Sequence, residues 1–136
     1  MVRSKEAPII ETDHVNVLIV DDQAPFRAVA RTVVGLISDF EVAAEAESGE
    51  DAVATAAELA PALVLMDINL PGINGIEATR QILAAHPDTV VVLLSTYTAA
   101  DLPADAASCG AAEYVHKEDL SPITLREIWE QHRPGA

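Results

Sequence analysis

Four positions in this sequence carry side chains that could act together as a chemical site. The acidic pair Asp21-Asp22, the single acid Asp67, Ser95 and Lys117 each follow a short apolar run. Those runs are "VNVLIV", "LVLM", "TVVVLL" and "AAEYVH". Carboxylates, a hydroxyl and an ammonium group together offer ligands for a cation and contacts for a charged substrate.

Carboxylates that converge at one place repel each other, and this repulsion raises their pKa values and destabilises the fold unless a cation lies among them. A hard divalent ion such as Mg2+ takes one or two carboxylates, accepts a backbone carbonyl and keeps several waters. Lys117 would add a compact positive charge, and Ser95 would add a hydroxyl donor. Such a set would stabilise negative charge that arrives on Asp67, as in phosphoryl transfer to a carboxylate.

Each of these residues also has an ordinary structural explanation when it is taken alone. Asp67 could be a turn residue or a helix cap, and the pair Asp21-Asp22 could interact with a helix dipole. Lys117 could be a surface lysine, and Ser95 could form a turn. The functional hypothesis therefore depends on the joint pattern, in which four separate runs end in compatible side chains.

The elements that must position these residues alternate between strand and helix. The predicted strands, which are short and rich in branched apolar residues, are 15–20, 41–47, 62–67, 89–95 and 111–117. The predicted helices, which have apolar residues at helical spacing, are 25–38, 48–60, 74–87, 99–110 and 121–132. This alternation predicts the α/β class, with a doubly wound parallel sheet and helices on both faces. Ligand sites in such sheets lie beyond the carboxyl ends of the strands, which is where the candidate residues fall.

Helix ends can also be read from the sequence. Ser48 and Ser121 are predicted N-caps, and Pro25 and Pro122 suit the first turn of a helix. The helix over 99–110 is weak, because Pro103 lies near its start and its other side chains are small.

Composition narrows the class of protein. The length of 136 residues predicts one domain, which we place at 15–132, with tails at 1–14 and 133–136. The formal net charge of -14 disfavours direct contact with nucleic acid or anionic lipid, and it favours a metal ion or a basic partner surface. The single Cys109 excludes an intrachain disulfide and a cysteine-based zinc site. Because we find neither a membrane-length apolar run nor a secretory signal, we expect a cytoplasmic location.

The chain resembles the receiver domain of bacterial two-component response regulators over about residues 16–132. The motifs that carry this resemblance are "VLIVDDQAPFR", "LVLMDINLPGINGIEATRQI", "VVLLST" and "GAAEYVHK". The resemblance implies a flavodoxin-like (βα)5 fold with strand order 2-1-3-4-5. It also implies a phosphoacceptor signalling domain rather than an enzyme, with at most slow self-dephosphorylation.

The resemblance assigns roles to the candidate residues. Asp67 would accept a phosphoryl group from a sensor histidine kinase. Asp22 would bind Mg2+ directly, Asp21 would bind it directly or through water, and Asp67 and the backbone carbonyl of Asn69 would complete the protein ligands. Lys117 would pair with the phosphoryl group.

A conformational switch is a further implication of the resemblance. Ser95 would move toward the phosphate, and Tyr114 would turn inward into the space that it leaves. The fourth helix, the fifth strand and the fifth helix would form the output face. Tyr114 could also be an ordinary half-buried aromatic of a strand. This chain departs from many receivers in having Glu118, rather than a proline with a cis peptide bond, directly after Lys117.

Several alternatives remain open at this point. An aspartate-nucleophile phosphatase of the haloacid dehalogenase type would need a second acid at the position of Asn69. A flavin- or nucleotide-binding module would need backbone amides and hydroxyls that bind phosphate, where "DDQAPFR" presents two carboxylates. A receiver that docks without phosphorylation is also possible. We expect a stand-alone receiver, monomeric or dimerising on phosphorylation, that signals to a downstream protein. The alternative is a receiver from a longer DNA-binding regulator, since "RPGA" could open a linker.

Overall fold

The computed structural model describes residues 14–96 and 102–135 of the chain. The strands are β1 (Val15–Val20), β2 (Phe40–Ala46), β3 (Leu63–Asp67), β4 (Val90–Ser95) and β5 (Glu113–His116). The α-helices are α1 (Ala24–Gly35), α2 (Gly49–Leu59), α3 (Gly75–Ala85) and α4 (Pro122–His132). Two 3-10 segments span Ala104–Ser108 and Lys117–Asp119. The predicted N-terminal tail lies outside the described residues, apart from position 14.

The five strands form one parallel sheet in the order β2-β1-β3-β4-β5, which confirms the predicted doubly wound topology. Asp67 at the end of β3 is paired with Leu94, and Ser95 at the end of β4 is paired with His116 of β5. Because the strands are parallel, their carboxyl ends meet at a common edge. This register places the candidate residues side by side.

The helix count differs from the prediction of five. The described residues contain four α-helices, and the fourth predicted helix is represented by the 3-10 helix Ala104–Ser108, while positions 99–101 lie outside the described residues. Pro103 directly precedes this segment, and only Ala106 within it is buried. With so little apolar surface to bury, this stretch lacks the packing that stabilises most helices in proteins.

The sheet is covered on both faces, as the sequence predicted. Every residue of β3 and β4 is buried, which is typical of central strands in a parallel sheet. One core cluster, which includes Ile19, Val34 and Leu125, joins the sheet to α1 and α4. A second cluster, which includes Val20 and Ile76, joins it to α2 and α3. The helices therefore pack on both faces of the sheet that carries the candidate residues. None of the described helices is long and apolar enough to cross a membrane.

The predicted helix caps are confirmed. The Ser48 hydroxyl accepts a hydrogen bond from the Asp51 N–H, and the Ser121 hydroxyl accepts one from the Thr124 N–H, each at 3.1 Å. The Asn74 side chain caps α3 by accepting from the Glu77 N–H at 2.9 Å. Side-chain acceptors of this kind satisfy backbone donors that a helix start leaves free.

Candidate functional site

Three carboxylates meet at the carboxyl edge of the sheet. One oxygen from each of Asp21, Asp22 and Asp67 lies within 4.8 Å of the others. Asp21 and Asp67 are buried, whereas Asp22 is exposed. The structure thus brings together the three acids that the sequence placed at two separate strand ends.

Asp21 is held by contacts on both of its carboxylate oxygens. Its Oδ1 accepts a hydrogen bond from the Gln23 N–H at 2.8 Å, and its Oδ2 lies 2.7 Å from the Lys117 Nζ. The Arg27 guanidinium donates to the Asp21 carbonyl at 2.8 Å and also binds Glu45 of β2. Asp21 is therefore fixed in place, and its buried charge is compensated directly by Lys117.

Asp67 is the last residue of β3 and is 4% exposed. Its Oδ1 accepts a hydrogen bond from the Asn69 N–H at 3.3 Å, and its Oδ2 lies 3.6 Å from the Lys117 Nζ. The first residue of α3 packs directly on it, since a Cβ atom added to Gly75 would lie 2.1 Å from the Asp67 carbonyl oxygen. The backbone of α3 thereby sets the position of this acid.

Lys117 is the cation of the site. Its Nζ lies closer to Asp21 than to Asp67, and it stands 4.5 Å from the centre of the Phe26 ring. An ammonium group over an aromatic face is stabilised by the ring quadrupole. The sequence predicted Phe26 only as an apolar helix position, and no local pattern indicates its contact with Lys117, because the two residues lie far apart in the chain.

A cleft of about 230 Å³ opens at these acids, and it is lined by Asp22, Gln23, Asp67, Asn69, Thr96 and Lys117. Thr96 was not assigned a role from the sequence. Its neighbour Ser95 is 2% exposed, at the end of β4. Tyr114 lies on β5, partly buried, and packs against the core cluster shared with α2 and α3. The cleft is small and polar, as a site for a metal ion and a phosphoryl group requires.

The electrostatics of the site favour a cation. Burial, followed by the nearby Asp21 carboxylate, raises the pKa of Asp67 from 3.8 to about 6, with a smaller contribution from Asp22. The Lys117 ammonium and the Asn69 N–H act in the opposite direction. A divalent ion with oxygen ligands would relieve this repulsion, so the three acids could hold a metal.

The raised pKa of Asp67 predicts a pH-dependent gain in stability for Asp67→Asn in EDTA. The folded state binds the Asp67 proton more tightly than the unfolded state, so this carboxyl destabilises the fold increasingly as the pH rises from about 4 to about 6. We expect Asp67→Asn to raise the free energy of unfolding by roughly 1–2 kcal/mol at pH 7.5 and by almost nothing at pH 4, after discounting for water in the open cleft.

Urea unfolding of wild type and Asp67→Asn across this pH range measures the effect. Asp88→Asn is the control, because Asp88 is an exposed acid in the turn before β4. An Asp67→Asn variant that is less stable than wild type at pH 7.5 would show that burial and the neighbouring carboxylates do not make the ionised Asp67 destabilising.

Comparison with known proteins identifies the class. Residues 17–130 match the model of the response regulator receiver domain, and the chain therefore belongs to that family. Receivers are signalling phosphoacceptor domains rather than catalytic enzymes, they bind Mg2+, and the family implies a two-component histidine kinase as partner.

Individual relatives agree with this assignment. The chain is 42% identical to the response regulator UvrY of Escherichia coli K12 over 103 residues, which are 76% of this chain and 47% of UvrY. It is 34% identical to the transcriptional regulatory protein DegU of Brevibacillus brevis over 109 residues, which are 80% of this chain and 46% of DegU. The chain thus spans about half the length of these curated relatives.

Solved structures show the same fold. The response regulator domain of Thermotoga maritima CheB superposes with a TM-score of 0.77 at 32% identity, covering 88% of this chain and 96% of that one. The CheX-CheY-BeF3-Mg2+ complex from Borrelia burgdorferi matches with a TM-score of 0.72 at 25% identity, covering 86% of this chain and 87% of that one.

Proposed function

We propose that this receiver accepts a phosphoryl group from a sensor histidine kinase onto the Asp67 carboxylate. The observation that carries the proposal is the position of Asp67 in the wall of the cleft, with two further carboxylates and the Lys117 ammonium beside it. A buried acid among like charges is costly to keep, and a group-transfer role accounts for it.

The proposed metal is Mg2+. Asp22, Asp67 and the Asn69 carbonyl would hold the ion, and Asp21 would bind it directly or through water. The ion, when bound, supplies positive charge that stabilises the oxygens of the transferred phosphoryl group. The Mg2+ in the Borrelia burgdorferi CheY complex supports this choice.

In the transfer, a carboxylate oxygen of Asp67 attacks the phosphorus atom. The new bond joins this oxygen to phosphorus, and the bond between phosphorus and the kinase histidine nitrogen breaks, leaving the histidine with the electron pair. The Asn69 N–H already contacts Asp67 and orients the carboxylate. Lys117 then moves from Asp21 toward a phosphoryl oxygen, because its Nζ already lies 3.6 Å from the Asp67 Oδ2 and the phosphoryl oxygens bring further negative charge to Asp67.

The proposed response to phosphorylation is a change in packing on β4 and β5. Ser95 turns toward the phosphate and Tyr114 turns inward, which alters the face formed by the 3-10 helix Ala104–Ser108, β5 and α4. A cavity of about 210 Å³ beside Tyr114, lined partly by Ala106 and Ala111, supports this proposal because small side chains leave room for an aromatic ring to move. The phosphate must favour one arrangement over the other for such a switch to operate.

We propose that the output is contact with a downstream protein in the cytoplasm. The net charge of -14 favours a partner with a basic surface over nucleic acid. A second candidate is the receiver part of a longer DNA-binding regulator, which the greater length of the curated relatives favours. Either form could be a monomer or a dimer linked to phosphorylation.

Incubation with acetyl phosphate and Mg2+, followed by intact-mass measurement, tests the phosphoacceptor. We expect wild type to gain the mass of one labile phosphoryl group and Asp67→Asn to gain none, because the amide is not a nucleophile of comparable strength. Asp88→Asn, with its exposed acid far along the chain, is the matched control and should behave as wild type.

The same assay tests the metal. EDTA should abolish labelling, and Asp22→Ala should raise the Mg2+ concentration needed for half-maximal labelling by at least tenfold, on the order of one lost charged ligand. Labelling of Asp67→Asn at the wild-type rate would refute the proposed acceptor. An unchanged Mg2+ requirement in Asp22→Ala would refute the proposed ligand set.

A further inference from the structure

The imidazole of His116 joins the two loops that border the cleft. Its Nδ1 lies 3.1 Å from the Glu118 backbone nitrogen, and its Nε2 lies 3.1 Å from the Thr96 carbonyl oxygen. Thr96 lines the cleft directly after Ser95, and Glu118 directly follows Lys117. One side chain thus connects the end of β4 with the turn that begins at Lys117.

These two contacts fix the tautomer of the ring. The Glu118 N–H is a donor, so Nδ1 must accept with its lone pair and the ring proton must lie on Nε2. That proton is then donated to the Thr96 carbonyl, which is an acceptor. Neutral imidazole in the Nε2–H form satisfies both partners, whereas the other tautomer would satisfy neither.

The contact with Glu118 also begins the turn that carries Lys117. His116 is the N-cap residue of the 3-10 turn Lys117–Asp119, and its side chain accepts from the second residue of that turn. The direction in which the chain leaves β5 determines where the Lys117 side chain reaches. Its Nζ must lie between Asp21 and Asp67, at 2.7 Å and 3.6 Å.

The residue that follows Lys117 explains why this turn uses a side-chain acceptor. A proline after Lys117 would restrict the backbone at that point, but this chain has Glu118 there. Glu118 does not restrict the backbone in this way, and its backbone N–H, which proline lacks, requires a hydrogen-bond acceptor. His116 supplies the acceptor and, through Thr96, ties the turn to the neighbouring strand.

We propose that His116 is a positioning residue for Lys117. Its ring links the loop after β4 to the turn after β5, and this link, which we call the His116 clasp, holds the Lys117 ammonium beside the proposed phosphoacceptor Asp67. The effect on phosphorylation rests on the proposed role of Asp67. The hydrogen bonds of His116 do not depend on that role, and the NMR experiment below tests them without phosphorylation.

The kinetic arm compares two replacements of His116 in the acetyl phosphate assay. His116→Leu removes both hydrogen bonds, whereas His116→Asn keeps an acceptor for the Glu118 N–H, since asparagine is an effective N-cap residue. We expect His116→Leu to slow labelling of Asp67 by about 3- to 10-fold, because the bond to the Glu118 N–H that sets the Lys117 turn is worth about that factor, and we expect His116→Asn to restore most of the rate. Thermal unfolding of both variants establishes that each is folded.

A double-mutant cycle separates positioning from a merely structural role. If His116 acts through Lys117, His116→Leu should have no further effect on the slow labelling of Lys117→Met. Fold-changes that multiply in the double variant would overturn the proposal, and so would equal rates for His116→Leu and wild type.

Nitrogen NMR of the histidine rings is the arm that needs no phosphate. We expect the Nε2–H tautomer for His116, slow exchange of the Glu118 amide, and at least tenfold faster exchange in His116→Leu. The Asp21 and Asp67 amide resonances should shift in His116→Leu and return toward wild type in His116→Asn. The Nδ1–H tautomer, or unshifted amides, would overturn the clasp. If wild type gave these NMR results but gained no phosphoryl group from acetyl phosphate, only the proposed role of Asp67 would be refuted.

Discussion

Gly75→Ala is expected to lower the free energy of unfolding by about 2–4 kcal/mol and to slow labelling of Asp67 at least tenfold. A Cβ atom at this position would lie 2.1 Å from the Asp67 carbonyl oxygen and 3.0 Å from the Ile68 Cα. Both are backbone atoms, so no side-chain rotation can relieve the clash, and α3 or the end of β3 must move. Overpacking of this kind typically costs 1–3 kcal/mol and occasionally more. The displaced atom belongs to Asp67, the proposed phosphoacceptor.

Gly35→Ala is the matched control for that experiment. Gly35 ends α1, and a Cβ atom there would meet nothing within 4 Å. Alanine in a helix is favoured over glycine by roughly 0.5–1 kcal/mol, so the control should be as stable as wild type or slightly more stable. Urea unfolding and intact-mass labelling measure the two effects. A Gly75→Ala variant that matches Gly35→Ala in both would show that the packing of α3 on β3 is loose.

The sheet and the acids at its edge could be predicted because both depend on local patterns. Buried parallel strands are continuous apolar runs, and a polar residue that ends such a run marks the edge. The placement of Asp21, Asp67 and Lys117 at one edge then follows from the direction of the strands. The prediction of a fourth α-helix was wrong for a local reason as well, since its described part is the 3-10 helix Ala104–Ser108, which offers little apolar surface to bury.

Other features of the site could not be predicted, because they depend on distances between segments far apart in the chain. The Gly75 contact requires α3 to approach the end of β3, and the motif "NGIEA" does not indicate how close the Gly75 backbone lies to Asp67. The Phe26 ring beneath the Lys117 ammonium joins residues at opposite ends of the sequence. The two hydrogen bonds of His116 likewise depend on the pairing of β4 with β5. The roles proposed for Ser95 and Tyr114 stay predictions.

Lys117→Met is expected to lower the free energy of unfolding in EDTA by about 2–4 kcal/mol at pH 7.5. Methionine keeps an apolar chain against Phe26, but it removes the charge that lies 2.7 Å from the buried Asp21. Breaking a buried ion pair costs roughly 3–5 kcal/mol, because one charge is left without a partner. Proton uptake by the remaining acids limits that loss, since the pKa of Asp67 is already raised to about 6.

Magnesium should then stabilise Lys117→Met more than it stabilises wild type, because an ion held by the three acids would neutralise Asp21 and Asp67, the two carboxylates that contact Lys117. Binding at a hundred times the dissociation constant contributes about 2.7 kcal/mol, enough to restore most of the loss. Urea unfolding with EDTA and with Mg2+ measures both effects. Arg80→Met is the control, since Arg80 pairs with Glu77 at the surface and its loss should change stability by little in either condition. If Mg2+ stabilised Lys117→Met and wild type equally, the ammonium and the metal would not be neutralising the same carboxylates. The coupling of Lys117 and Mg2+ to Asp67, on which the proposed mechanism depends, would then be absent.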